Sequence, residues 1–217
     1  QMEEKLHIGT LCVQAGYHPG KGESRQIPII QSTTFKYDTS DQMGRLFDLE
    51  DSGYFYTRLQ NPTNDTVAAR IAALEGGVAA MLTSSGQAAN FFACVNICEA
   101  GGHIVAAGNI YGGTFNLLGT SWVCTADNAG DCVLVYPEEE IRAAFRPETK
   151  LLFGETISNP GVEVLDIEKF ARIAHDHCVP LIVDNTFATP IHCRPFEWGA
   201  DIVTHSTTKY MDGHGVE

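Results

Sequence analysis

From Pro62 onward the apolar positions fall into short runs and helical repeats that alternate along the chain. Val67, Ile71 and Leu74 recur at helical spacing behind Thr63 or Asn64, either of which can cap a helix, and Gly76-Gly77 ends the pattern. Residues 78–82 read as a strand, 87–99 as a helix closed by Gly101-Gly102, and 103–107 as another short apolar strand. Pro137 followed by Glu138, Glu139 and Glu140 predicts a helix start, with proline in the first turn and acids at the positive end of the dipole. Ile141, Ala144 and Phe145 would face its core side. Residues 151–154 read as a strand. Asp166 caps a helix that turns Ile167, Phe170, Ala171 and Ala174 inward, and 181–183 and 202–203 complete the strand series. Strands that are short, apolar on both faces and separated by helices predict an α/β fold: a mostly parallel sheet covered on both sides.

Residues 1–60 lack this periodicity, being interrupted by Gly16, Pro19, Gly20, Gly22 and Pro28. A stretch of that length without elements is unusual inside a compact domain. It is expected to be an extended segment reaching a neighbouring subunit, with 61–217 forming the α/β domain.

Composition narrows the function classes. With 44% apolar residues the chain can fill a core, and a net charge of -13 argues against nucleic acid and against an anionic membrane surface. No run of 18 apolar residues occurs, and no basic region precedes an apolar stretch at the N-terminus, so the expectation is a soluble, cytoplasmic protein. Gln1 in the first position suggests a trimmed or engineered start. The seven cysteines are scattered: Cys94-x3-Cys98 lies on an expected helix, and Cys124 and Cys132 flank a polar loop. Zinc favours tighter pairs, so reduced, buried cysteines are expected. His175-x-His177 would face apart on a helix, and no metal site is expected.

Ligands of such sheets sit beyond the carboxyl ends of the strands. Thr83-Ser84-Ser85-Gly86-Gln87 opens a helix and can offer bare N–H groups to a phosphate, although such a turn also serves simply as a cap. Asp184 ends the strand 181–183. A carboxylate there must be paired or wet; it either caps the next turn or pairs with a cationic ring nitrogen. Lys209, one of six lysines, stands in Ser206-x-Thr208-Lys209 between two hydroxyl residues. It is either a solvated surface lysine or an amine depressed in pKa for attack on an aldehyde. Tyr111, after 103–107, can stack on a planar ring or be a half-buried loop tyrosine. Arg58, in Tyr56-Thr57-Arg58, is a phosphate fork or a rim ion-pair partner. One lysine, flanking hydroxyls and one acid at a strand end are the equipment for holding pyridoxal 5'-phosphate: the lysine for the imine, the hydroxyls for phosphate, the acid for the pyridine nitrogen.

Together these residues resemble the Cys/Met-metabolism family of pyridoxal-phosphate enzymes. The motifs run from Gln31-Ser32-Thr33-Thr34-Phe35 through Tyr56-Thr57-Arg58-x-x-Asn61-Pro62-Thr63 to Ser206-x-Thr208-Lys209. The resemblance implies an aspartate-aminotransferase-like (type I) large domain. It makes Lys209 the Schiff-base lysine, Asp184 the pyridine-nitrogen partner and Tyr111 the ring-stacking tyrosine. Ser206, Thr208 and the Gly86 and Gln87 backbones match phosphate ligands, and Thr186 joins the cofactor-binding set. Tyr56 and Arg58 match phosphate ligands lent by the adjacent subunit, and Glu155 and Asn159 line the substrate site. Ser85-Gly86-Gln87-Ala88-Ala89 is similar to the O-acetylhomoserine sulfhydrylase branch, where γ-lyases and cystathionine synthases usually carry methionine at the position of Gln87. The implied reaction is γ-replacement, O-acetylhomoserine and sulfide giving homocysteine and acetate, with Tyr111 assisting Lys209. γ-Elimination and cystathionine γ-synthesis are the alternatives, and a homotetramer built as a dimer of dimers is the implied assembly.

The chain departs from the family in two ways. Family chains are about twice as long. This one ends eight residues after Lys209, without the C-terminal part that carries the arginine for the substrate carboxylate. The isolated chain is therefore expected to be an inactive cofactor-binding fragment unless a second chain supplies that half. Residues 122–131 also do not resemble the family's usual segment.

Overall fold

The computed structural model describes residues 6–121, 131–135 and 138–215. The chain divides into two compact units, Gln1–Leu82 and Thr83–Glu217.

In the first unit, the segment read as lacking elements holds two short helices, α1 (Ile8–Gln14) and α2 (Ser40–Phe47). They escape a periodicity search because each spans only about two turns. Thr39 caps α2 by accepting from the Gln42 N–H, and Asp41 and Arg45 stand at the ends that the helix dipole favours. The third helix, α3 (Pro62–Glu75), is capped by Asn61, with Pro62 in its first turn and Gly76 left-handed (φ 78°) at its end. The cap therefore lies two or three residues earlier than the sequence suggested. The buried face is also different: Thr66, Ala68, Ala72 and Glu75 are buried, whereas Val67 is exposed. Small side chains let this face pack closely, as Gly16 shows by seating its backbone against Thr66 and Arg70, where an added Cβ would lie 2.4 Å from the Thr66 carbonyl oxygen. Residues 78–82 form no strand, and Val78 and Met81 are exposed. A strand exists through its ladder, and this segment pairs with none of the described strands.

The second unit is the expected parallel sheet. Helix α4 (Gly86–Val95) precedes β1 (His103–Ala107), followed by α5 (Gly112–Asn116), β2 (Asp131–Val135), α6 (Glu138–Ala144), β3 (Thr149–Glu155), α7 (Ile167–Asp176), β4 (Leu181–Asp184), α8 (Thr189–His192) and β5 (Ile202–Thr204). The sheet order is β2-β1-β3-β4-β5, with every neighbour parallel. All residues of β1 and β4 are buried, so both faces of the sheet are covered there. The core joins Ile104, Val105, Leu152, Phe153, Ile182 and Val183 to Ile141 of α6 and Phe170 and Ile173 of α7. As the sequence predicts, Asp166 caps α7, accepting from the Lys169 N–H at 3.1 Å.

Strand β2 was not expected, because the polar stretch before it reads as loop. Residues 122–130 and Pro137, on which two of the sequence expectations fall, lie outside the described residues. Helix α4 stops at Val95, four residues before the expected end. Among the described residues no helix is long and apolar enough to cross a membrane. Cys94 and Cys98 are buried, but Cys178 is exposed in a left-handed turn after α7, against the expectation of burial.

Candidate active site

The order β2-β1-β3-β4-β5 reverses direction between β1 and β3. In open parallel sheets ligands settle at that reversal, beyond the carboxyl ends of the strands. Tyr111 follows β1, Glu155 ends β3, Asp184 ends β4, and Ser206 follows β5. The fold therefore delivers four residues singled out from sequence to the same edge of one sheet.

Two ladders set their spacing. Glu155 is in register with Asp184, and Asp184 with Thr204. Asp184 is 8% exposed and accepts three hydrogen bonds: from Asn90 Nδ2 on α4 at 3.1 Å, and from the backbone N–H (3.0 Å) and hydroxyl of Thr186. Among the described residues no cationic side chain pairs with it. A buried carboxylate with donors but no counter-ion is suited to a cationic ligand atom. Thr186 also accepts from the Ser206 N–H at 2.8 Å, which ties the turn after β5 to the end of β4.

Glu155 accepts from the Tyr111 N–H at 2.7 Å, directly across the β1/β3 reversal. Its carboxyl is pushed up to about 7, first by burial and then by the negative charge of Asp184, with the Tyr111 N–H pulling the other way. The Tyr111 ring is half exposed and lies over Gly113, where a Cβ would stand 2.5 Å from the ring.

Helix α4 starts beside this edge. Ser85 caps it, accepting from the Ala88 N–H at 3.0 Å, which leaves the Gly86 and Gln87 N–H groups without helical acceptors. Gly86 touches Ser206 so closely that an added Cβ would lie 2.5 Å from the Ser206 Cβ. Bare N–H groups at a helix start beside a serine form a cradle for an oxyanion. The Gln87 side chain points elsewhere, donating to the Thr114 hydroxyl at 3.0 Å.

Lys209 lies in the turn after β5, its N–H bonded to the Ser206 carbonyl at 3.3 Å. Its side chain is exposed, and among the described residues no acid pairs with its ammonium. Thr208 is exposed beside it. Asn159 is partly buried and precedes a cis proline, Pro160. Tyr56 and Arg58 belong to the first unit, where the guanidinium sits 4.8 Å from the Tyr56 ring centre. A cavity of about 340 Å³ lined by Phe145, Arg146, Pro147, Thr149 and His177 lies at the start of β3, the opposite end of that strand, and contains none of these residues.

Sequence reasoning missed Asn90 and Thr114. Asn90 is 1% exposed and Thr114 equally buried, and they are bonded to each other at 3.3 Å. The available signal was an amide in the middle of helix α4, beside the apolar Ala89, Phe91 and Cys94.

The chain is similar to proteins already known. An O-acetyl-L-homoserine sulfhydrylase of Leptospira meyeri is 42% identical over 95% of this chain and 47% of its own length. One of Corynebacterium glutamicum is 46% identical over 95% of the chain and 47% of the relative. The crystal structure of a Campylobacter jejuni protein assigned as an O-acetylhomoserine (thiol)-lyase contains a pyridoxyl-lysine monophosphate. It superposes with a TM-score of 0.91 at 33% identity over 97% of this chain and 52% of that one. The chain spans about half the length of the curated relatives it matches. The model of the Cys/Met metabolism PLP-dependent enzymes matches residues 9–216, and the chain belongs to that family.

Proposed function

We propose that this chain holds pyridoxal 5'-phosphate and forms the cofactor-binding half of an enzyme that converts O-acetylhomoserine and sulfide to homocysteine and acetate, in methionine biosynthesis. The observation that carries the cofactor reading is Asp184: buried, triply hydrogen-bonded and without a counter-ion among the described residues, at the carboxyl end of β4. The choice of reaction is supported by the sulfhydrylases among the relatives.

The residues fit the group. Asp184 would pair with the ring nitrogen, Tyr111 would stack on the ring, and Gly86, Gln87, Ser206 and Thr208 would hold the phosphate, with Thr186 fixing Asp184. When bound, the cofactor supplies an electron sink for the substrate's α-carbon. Lys209 is assigned the covalent attachment and, once released, the transfer of the Cα and Cβ protons. The Tyr111 hydroxyl holds a proton near the departing ester. At Cγ the C–O bond breaks, acetate leaves, and sulfide forms the new C–S bond. Glu155 and Asn159 line the substrate side. Tyr56 and Arg58 are assigned to the phosphate of a neighbouring subunit in a cytoplasmic dimer of dimers, with 1–60 as the crossing segment.

A second reading, γ-elimination, is favoured by an L-methionine gamma-lyase of Fusobacterium nucleatum that is 39% identical over 98% of the chain. The assay compares O-acetylhomoserine plus sulfide with methionine alone. It uses the chain by itself and the chain joined by a polypeptide carrying the half by which the relatives exceed it. Homocysteine formation exceeding methanethiol release is expected, and only with both halves present. Faster methanethiol release reverses the ranking of reactions, and turnover by the chain alone removes the need for a second half.

A further inference from the structure

We propose that Asn90 is the positioning residue that aims the Asp184 carboxylate at the cofactor ring, an inference that rests on the cofactor reading above. Asn90 lies on the first turns of α4, and its amide spans two elements. Its Nδ2 donates to Asp184 Oδ2 at the end of β4 (3.1 Å) and to the Thr114 hydroxyl on α5 (3.3 Å). The carboxylate can only accept, so it dictates which way the amide faces. That orientation leaves the Asn90 Oδ1 buried without a hydrogen-bond partner.

An unpartnered buried carbonyl oxygen is costly, and on α4 the residues Ala89, Phe91, Ala93 and Cys94 around Asn90 are apolar. Packing alone therefore does not account for an amide here. Its two donated bonds do. Thr186 holds the other oxygen, Oδ1, through its N–H and hydroxyl. The two residues grip the carboxylate from opposite sides and fix its plane. Gln87 extends the same chain of bonds: it donates to the Thr114 hydroxyl at 3.0 Å, so the helix start that faces the phosphate and the acid that faces the ring share one anchor. Thr114 lies three residues after Tyr111, on the helix that Tyr111 caps.

The test separates positioning from packing. Asn90→Leu keeps the branched shape and the number of side-chain heavy atoms and removes both donations. Asn90→Asp keeps the shape and replaces the donor with a second acid. Each purified chain is titrated with pyridoxal 5'-phosphate, following the visible absorption band of the bound cofactor, and its cofactor-free thermal unfolding is recorded. Asn90→Leu is expected to weaken cofactor binding at least tenfold and to shift the band, with only a small change in cofactor-free unfolding temperature, because removing the unpartnered Oδ1 offsets the donor lost to Asp184. Asn90→Asp is expected to weaken binding at least as much. Wild-type affinity and band position in Asn90→Leu overturn the inference, as does a loss of affinity that merely tracks a lowered unfolding temperature. Should Asn90→Leu fail to fold, Asn90→Asp with wild-type affinity overturns it equally. A wild-type chain that takes up no cofactor contradicts the cofactor reading instead, which keeps the two failures apart.

Discussion

At neutral pH the Glu155 carboxyl stands between its two protonation states, because burial and the charge of Asp184 push it up to about 7. In an unfolded chain a glutamate releases its proton near 4.3. Between those values the folded protein binds more protons than the unfolded one, so stability falls as pH rises through that window and levels off above it. Glu155→Gln retains an acceptor for the Tyr111 N–H and removes the titration. We expect the variant to exceed wild type by about 1–2 kcal/mol at pH 8 and to match it within about 0.5 kcal/mol at pH 5. Urea unfolding across that range checks this, and parallel curves contradict it. The same residue was legible from sequence only as a site-lining position. Its proton affinity arises from the register that sets it beside Asp184, which no linear spacing displays.

Among the elements, β1, β3, β4 and α7 were legible because each satisfies one physical requirement visible in a short window. The strands are apolar on both faces, and α7 alternates an inward stripe of Ile167, Phe170, Ala171 and Ala174 with charge. Residues 78–82 carry the same apolar signal as β1 but have no ladder partner among the described strands, so composition alone misled. Strand β2 escaped because its pairing with β1 is long-range, while the stretch before it is polar. Asn90 and Thr114 escaped because a buried polar residue on a helix has no periodic signature; its meaning lies in partners from other elements. The cap of α7 offers a direct check at this scale. Asp166→Ala removes the bond to the Lys169 N–H and should cost about 1 kcal/mol of stability, read as a lower denaturant midpoint with unchanged slope. No change would show that the start of α7 is held by packing alone.

For the whole molecule, the net charge of -13 argues against nucleic acid, and the proposed function makes the sheet-edge site the seat of a small anionic cofactor. Assembly is tested by mixing. If Tyr56 and Arg58 complete a neighbour's site, Arg58→Ala and Lys209→Ala variants of the assembled enzyme are each inactive alone. Random pairing in a two-fold dimer then restores about a quarter of the sites. No recovery despite demonstrated subunit exchange would assign Arg58 to its own subunit. The central claim is that the edge formed by Asp184, Tyr111 and Ser206 receives pyridoxal 5'-phosphate and that Lys209 binds it covalently. The direct measurement is borohydride treatment of the chain incubated with the cofactor, followed by peptide mass analysis. We predict a yellow protein and a fixed pyridoxyl mass on the peptide containing Lys209. A colourless protein, or a label confined to Lys150, Lys169 or another lysine, would contradict the claim.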